Sequence, residues 1–232
     1  MPNIADNLAA VQERIAAACD RAGRAPEDVQ LVAVGKKFPA PIIREAAEAG
    51  LTLFGENRVQ EAKAKISDCP GHLRWHFIGN LQTNKCRDAV ALFDFLHAVD
   101  SLHLAAELNK RCEQAAKVMP VLLEVNVSGE ASKHGFTPEA AVAAMDAFFD
   151  FPQLDLYGLM TMAPFSRHPE SARPYFQKLR KLKNACEDQL GAPLPELSMG
   201  MSGDYEIAIE EGATLIRLGT TLFGPRAAAN KD

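Results

Sequence analysis

Cysteine is scarce and unpatterned in this 232-residue sequence. Cys19, Cys69, Cys86, Cys112 and Cys186 are odd in number, widely spaced and contain no C-x-x-C pair. That argues against a disulfide framework and a cysteine zinc site, and fits reduced thiols in a cytosolic protein. Long apolar runs are also missing, and none approaches the roughly 20 residues that span a bilayer. The opening stretch MPNIADNLAAVQERIAAACDRAG carries Asp, Glu and Arg throughout, unlike a signal peptide. The expectation is a soluble, cytoplasmic protein with no membrane partner. Positive charge is short as well: 25 Lys and Arg against 30 Asp and Glu leave a net charge of −5. Without a broad basic footprint, no nucleic-acid partner is expected. A small anion remains compatible, because a few backbone N–H groups can hold a phosphate. Gly (15) and Pro (14) are too few for a low-complexity chain, and no Pro/Gly/Ser-rich linker marks a boundary. Residues 1–232 therefore read as one domain, with a frayed tail at 227–232.

What is present is a regular alternation. Ile4, Leu8, Val11 and Ile15 recur at spacings of 4, 3 and 4, which places them on one face of a helix ending near Gly23. Short apolar, β-branched runs follow at 31–35, 51–55, 75–79, 95–99, 120–127, 154–160, 196–199 and 214–219, each bounded by turn residues. Helical patterns separate them at 41–50, 58–66, 81–93, about 101–117, 137–149, about 170–190 and 204–213. Strict alternation implies a parallel sheet with right-handed crossovers. Eight such units close into an α/β fold of the (β/α)8 TIM-barrel type, with an extra N-terminal helix. An open, doubly wound sheet is the alternative.

In a barrel the chemistry lies where the strands end. Strand 1 is followed by Gly35-Lys36-Lys37, strand 2 by Glu56-Asn57-Arg58, and strand 3 carries His76 before Gly79-Asn80. Strand 7 leads into SMGMSGD (198–204), and strand 8 carries Arg217 before Gly219-Thr220-Thr221. The last two loops are rich in Gly, Ser and Thr and suit a phosphate; the competing reading makes them plain turns with Ser202 as a helix cap. Lys36, partly desolvated at a barrel mouth, could act as a neutral amine nucleophile. Lys37 reads as solvated. Arg217, inside the apolar run LIRLG, needs a partner, either a barrel carboxylate such as Glu124 or a ligand. No pair among His76, His97 and His134 has metal-ligand spacing, so no metal is expected. Neither a G-x-S-x-G elbow nor a Walker A loop is present. The basic residues of the 170–190 helix read as a solvated face.

The segments LVAVGKKF, FGENRVQE, WHFIGNLQTNK, EVNVSGEASKHGF, GLMTMAP, SMGMSGDYEIAI and IRLGTTLFGPR occur in this order. Together they resemble the YggS/PROSC family of pyridoxal 5′-phosphate (PLP) homeostasis proteins, from about residue 5 to 226. The resemblance implies a fold type III barrel, like the N-terminal domain of alanine racemase, with PLP as cofactor. Lys36 falls at the family's Schiff-base lysine. Ser202 and Gly203, with Gly219 and Thr220, fall at its phosphate-binding positions. Arg217 falls at the arginine facing the pyridine nitrogen, and Asn57 and His76 fall near the cofactor. An arginine there gives up no proton and leaves the ring a weak electron sink, which suits a carrier or a slow racemase.

Three positions depart from frequent family choices: Gly35 for Ser, Lys37 for Thr and Arg58 for Tyr. For Arg58, an altered affinity and an added anion contact both stay open. The sequence ends soon after the eighth strand, and Tyr157, Tyr175 and Tyr205 do not match the racemase's tyrosine base. The implied function is a monomeric protein that buffers PLP or delivers it in transient contacts with apo-enzymes. A weak amino-acid racemase is the alternative, and a Schiff-base aldolase on the same barrel a third reading.

Overall fold

The computed structural model describes residues 3–131 and 133–224. Its eight strands are β1 (Gln30–Val34), β2 (Leu53–Glu56), β3 (Arg74–Phe77), β4 (Phe95–Val99), β5 (Met119–Glu124), β6 (Leu154–Met160), β7 (Glu196–Met201) and β8 (Leu215–Leu218). They pair in chain order, all parallel, and β8 closes on β1 with Gln30 opposite Leu215 and Ala33 opposite Leu218. The expected (β/α)8 barrel is therefore the observed fold. The helices are α1 (Ile4–Arg21), α2 (Ala40–Glu48), α3 (Val59–Lys65), α4 (Cys86–Leu92), α5 (Leu102–Gln114), α6 (Pro138–Ala143), α7 (Arg173–Leu190), α8 (Tyr205–Glu210) and α9 (Thr220–Phe223).

Helix α1 forms as its spacing predicts. Asn3 caps it, accepting from Ala5 and Asp6 N–H, and Ile4, Leu8, Val11, Ile15 and Ala18 are its buried stripe. It packs beside α8 and α9: Asn7 donates to the Leu222 carbonyl at 2.8 Å, and Arg14 and Arg21 pair with Glu206 and Glu210 on α8. The extra helix thus braces the last barrel unit, next to the β8–β1 closure.

Two apolar layers result. The larger lies between barrel and helices. The smaller is a plug of Val32, Leu53, Phe95, Ala98, Leu122, Met160 and Leu215. Each buried Leu, Ile, Val or Phe contributes about 1.5–3 kcal/mol, and strands buried on both faces read in the sequence as nearly continuous apolar runs.

Several boundaries differ from expectation. The helix expected at 81–93 begins only at Cys86, after a 3-10 turn at Thr83–Lys85. The helix expected at 137–149 stops at Ala143, and a 3-10 turn covers Asp146–Asp150. Strand β5 ends at Glu124, with Val125 making one bridge to Phe136. Glu56, expected in a loop, is the last residue of β2 and fully buried. Pro225, Arg226 and the tail expected to fray at 227–232 lie outside the described residues.

Candidate functional site

A pocket of about 470 Å³ opens at the C-terminal ends of the strands. Lys36, Asn57, Ser202, Gly203, Arg217, Gly219 and Thr220 all line it, brought together from strands 1, 2, 7 and 8. Asn80, Asp204 and the apolar Val34, Ile78 and Met162 complete much of its wall. His76 does not. It is buried within the barrel and faces a separate opening at the other end, beside Arg74, Asp94 and Phe95.

Lys36 stands where β1 breaks into a turn, and the peptides on both sides of it are held. The Gly35 N–H donates to the Gly55 carbonyl at 3.0 Å. The Gly35 carbonyl accepts from Lys65 Nζ at 2.8 Å. The Lys37 N–H donates to a Glu61 carboxylate oxygen. Lys65 Nζ also contacts Glu56 Oε1 at 2.6 Å and Glu61 Oε1 at 3.3 Å, so one buried ammonium joins two carboxylates and a backbone carbonyl. Lys37 itself adopts φ 68°, a left-handed conformation costly for a side chain, and is exposed. Burial pushes the Glu56 carboxyl up to about 7, against the pull of the Lys65 ammonium. Its second oxygen, Oε2, is buried without a hydrogen-bond partner.

The loops after β7 and β8, the latter beside β1, present donors to the same pocket. After β7, Gly200 takes φ 90°, and a Cβ there would lie 2.9 Å from Tyr205 Cα; only glycine permits this tight entry into α8. Asp204 Oδ1 accepts from the Met201 N–H at 2.7 Å and fixes the turn. The N–H groups of Ser202, Gly203, Gly219 and Thr220 donate to no acceptor among the described residues. Ser202 caps no helix: its side chain makes no hydrogen bond there, and α8 begins after Asp204.

Arg217 forms the floor, 4 % exposed. Among the described residues it pairs with no carboxylate, so of the two readings left open, a barrel carboxylate such as Glu124 or a ligand, the ion pair with Glu124 does not form. Instead Nη1 donates to Ser198 Oγ at 2.5 Å and Nη2 to the Thr161 carbonyl at 2.9 Å. Ser198 Oγ lies 2.9 Å from His97 Nδ1, and His97 Nε2 lies 2.9 Å from His76 Nδ1. Guanidinium donates only. Ser198 Oγ therefore accepts from Arg217, and it shares a second hydrogen bond with His97 Nδ1 whose donor is set by the imidazole tautomer. His97 Nε2 and His76 Nδ1 share one hydrogen in the same way. Burial holds both histidines neutral, His76 pushed down to about 3 and His97 well below its ordinary value. Burial likewise lowers Arg217, to about 10, still charged at neutral pH.

Comparison with known proteins now decides the family. Residues 7–227 match the alanine racemase N-terminal domain. A pyridoxal phosphate homeostasis protein of Aquifex aeolicus is 44% identical over 225 residues, covering 97% of this chain and 99% of the relative. One from Pseudomonas aeruginosa is 45% identical over 229 residues, covering 97% of each. The chain belongs to the pyridoxal phosphate homeostasis protein family. The solved structure of PipY from Synechococcus elongatus with PLP bound superposes with a TM-score of 0.83 at 38% identity, covering 95% of this chain and all of PipY. This chain and these relatives match over nearly their full lengths.

The clamp joining Glu56, Glu61 and Lys65 escaped sequence reading, as did the contact of His97 with Ser198. Lys65 left one signal. It follows Val59 and Ala62 at helical spacing, on the buried face of α3.

Proposed function

We propose that this chain binds PLP at the mouth and serves PLP homeostasis, holding the cofactor through Lys36 and buffering or delivering it. The observation that carries the reading is one pocket lined both by an amine and by four uncommitted N–H groups, at 202, 203, 219 and 220. A phosphate accepts from such groups without displacing any existing bond. PLP supplies an aldehyde that condenses with a lysine amine, releasing water. Lys36 provides that amine. Its backbone is held on both sides, so the side chain is presented rather than searching. Ser202 Oγ adds a hydroxyl donor to the phosphate wall. Arg217 offers donors to the ring, and Asn57 borders the same space. His76 acts through His97 and Ser198 on Arg217 and not by touching the cofactor.

Racemisation requires an acid and a base on opposite faces of the substrate. The ionisable side chains lining the mouth are Lys36, Asp204 and Arg217. Asp204 is committed to the Met201 N–H, and Arg217 holds its proton. This favours a holder over a racemase. The proposal extends to a single-domain monomer in the cytoplasm that meets apo-enzymes transiently. No described helix is long and apolar enough to cross a membrane.

Borohydride reduction with added PLP, followed by intact mass and peptide mapping, tests the reading. One adduct on Lys36 is expected. No adduct and no uptake of PLP would overturn it, and rapid isomerisation of free L-amino acids would overturn the holding role.

A further inference from the structure

A second depression, of about 630 Å³, lies beside the mouth. One wall is the start of α3, residues 57–61; the other is the segment 80–85 that follows β3. Gly79 brings these walls together. A Cβ at Gly79 would lie 2.4 Å from the Asn57 carbonyl oxygen and 2.7 Å from Asn57 Cα, so only a glycine allows this approach. Asn57 and Asn80 line both the mouth and the cleft.

We propose that this cleft is an anion subsite, built for a small dianion bearing phosphate or carboxylate groups. Two cations line it, Arg58 and Lys85. Neither forms a hydrogen bond through its side chain or an ion pair with any described residue, whereas most other basic side chains near α3 are engaged: Lys63 with Asp88, Lys65 with Glu56 and Glu61. The amides of Gln60 and Gln82 line the same space and are likewise unengaged among the described residues. The one carboxylate in the lining, Glu61, is occupied by Lys65 and by the Lys37 N–H. The cleft therefore presents a fork of guanidinium N–H groups, an ammonium and two amides, while its one carboxylate is held by Lys65 and the Lys37 N–H. In a chain of net charge −5, this concentration of unbalanced positive charge runs against the molecule's average.

Arg and Lys fit the two oxyanion chemistries differently, the fork bidentately and the ammonium as a point charge. A ligand spanning both carries two negative charges. The volume accommodates a phosphate ester or a dicarboxylate with its carbon skeleton. Because Asn57 and Asn80 belong to both cavities, an occupant of the cleft touches the wall of the mouth. The sequence had left Arg58 open between an altered affinity and an anion contact, and the cleft assigns it the second.

The test is residue-resolved NMR titration of the full chain, saturated with PLP, against inorganic phosphate in one arm and succinate in the other. Saturable shifts centred on 57–61 and 80–85 are expected. They should weaken about tenfold or more in the double variant Arg58→Gln, Lys85→Gln, the scale of one lost charge-assisted contact. Response to phosphate alone would assign phosphate esters, and response to succinate alone dicarboxylates. No saturable shift in either arm, or equal affinity in the double variant, overturns the proposal. The preceding PLP titration reports on residues 202–203 and 219–220, so failure of the PLP reading shows there and not in the cleft.

Discussion

Lys65 Nζ binds the carbonyl of Gly35 at 2.8 Å, so one buried lysine holds the peptide that carries another, Lys36. The same ammonium sits between Glu56 and Glu61. Replacing Lys65 with Met would leave the Glu56 carboxylate buried with both oxygens unpaired and release the turn. Removing one partner of a buried ion pair costs about 3–5 kcal/mol. The denaturant midpoint of Lys65→Met should fall accordingly. A midpoint equal to the parent's would show that the clamp bears no load.

Lys36→Ala should retain the fold, since Lys36 is only half-buried at the rim. The borohydride-stable adduct should vanish while weak, reversible PLP binding persists through the donors of the two loops. Adduct formation at Lys37 instead would show that the exposed left-handed turn presents the wrong amine.

Ser202→Ala should weaken PLP binding by about 1–3 kcal/mol, the scale of one charge-assisted hydrogen bond. Equilibrium titration reads this directly. An unchanged dissociation constant would remove Ser202 from the phosphate wall.

Stability should fall in acid. His76 and His97 stay neutral in the fold, because burial depresses both, yet take up protons once unfolded, at the ordinary value of 6.5. The unfolded state then binds more protons, and stability drops as pH falls from 6.5 towards about 3. Each histidine contributes about 1.4 kcal/mol per pH unit. Glu56 works oppositely: raised from 4.5 to about 7, it keeps a proton in the fold that the unfolded chain loses, so stability falls as pH rises through that interval. The acid slope is therefore partly offset above 4.5 and steeper below it. His76→Gln should remove one histidine's share in denaturant midpoints taken across this range; an unaltered slope would count against the buried relay.

Gly79→Ala should strain both cavities at once, because the added methyl meets backbone rather than a flexible side-chain end. Overpacking of this kind costs about 1–3 kcal/mol. A Tm equal to the parent's would contradict the close approach.

The barrel was readable because parallel strands covered on both faces appear as apolar runs, and each run here is closed by turn residues. Lys36, Ser202 and Thr220 were readable because barrel geometry gathers whatever follows strands 1, 7 and 8. His76 was placed near the cofactor by the family resemblance, but its side chain lines the opening at the other end of the barrel. A strand's alternation does not reveal which end of the interior a residue reaches. The pairing of His97 with Ser198 spans strands β4 and β7 across the barrel, a relation no local pattern encodes. Register adds to the difficulty, since it shifts between Leu96 and Val99. Helix ends at 86 and 143 escaped because 3-10 turns carry the same apolar spacing for one turn.

Arg217 is met from inside the barrel by oxygens that carry no net charge. The Ser198 hydroxyl oxygen and the Thr161 carbonyl oxygen both present their negative ends to the guanidinium. The arginine is thus solvated from below by neutral groups, as an ion is by oriented water. A carboxylate in the same place would have cancelled the field above it. This arrangement leaves the full positive charge at the floor of the mouth, directed at whatever enters.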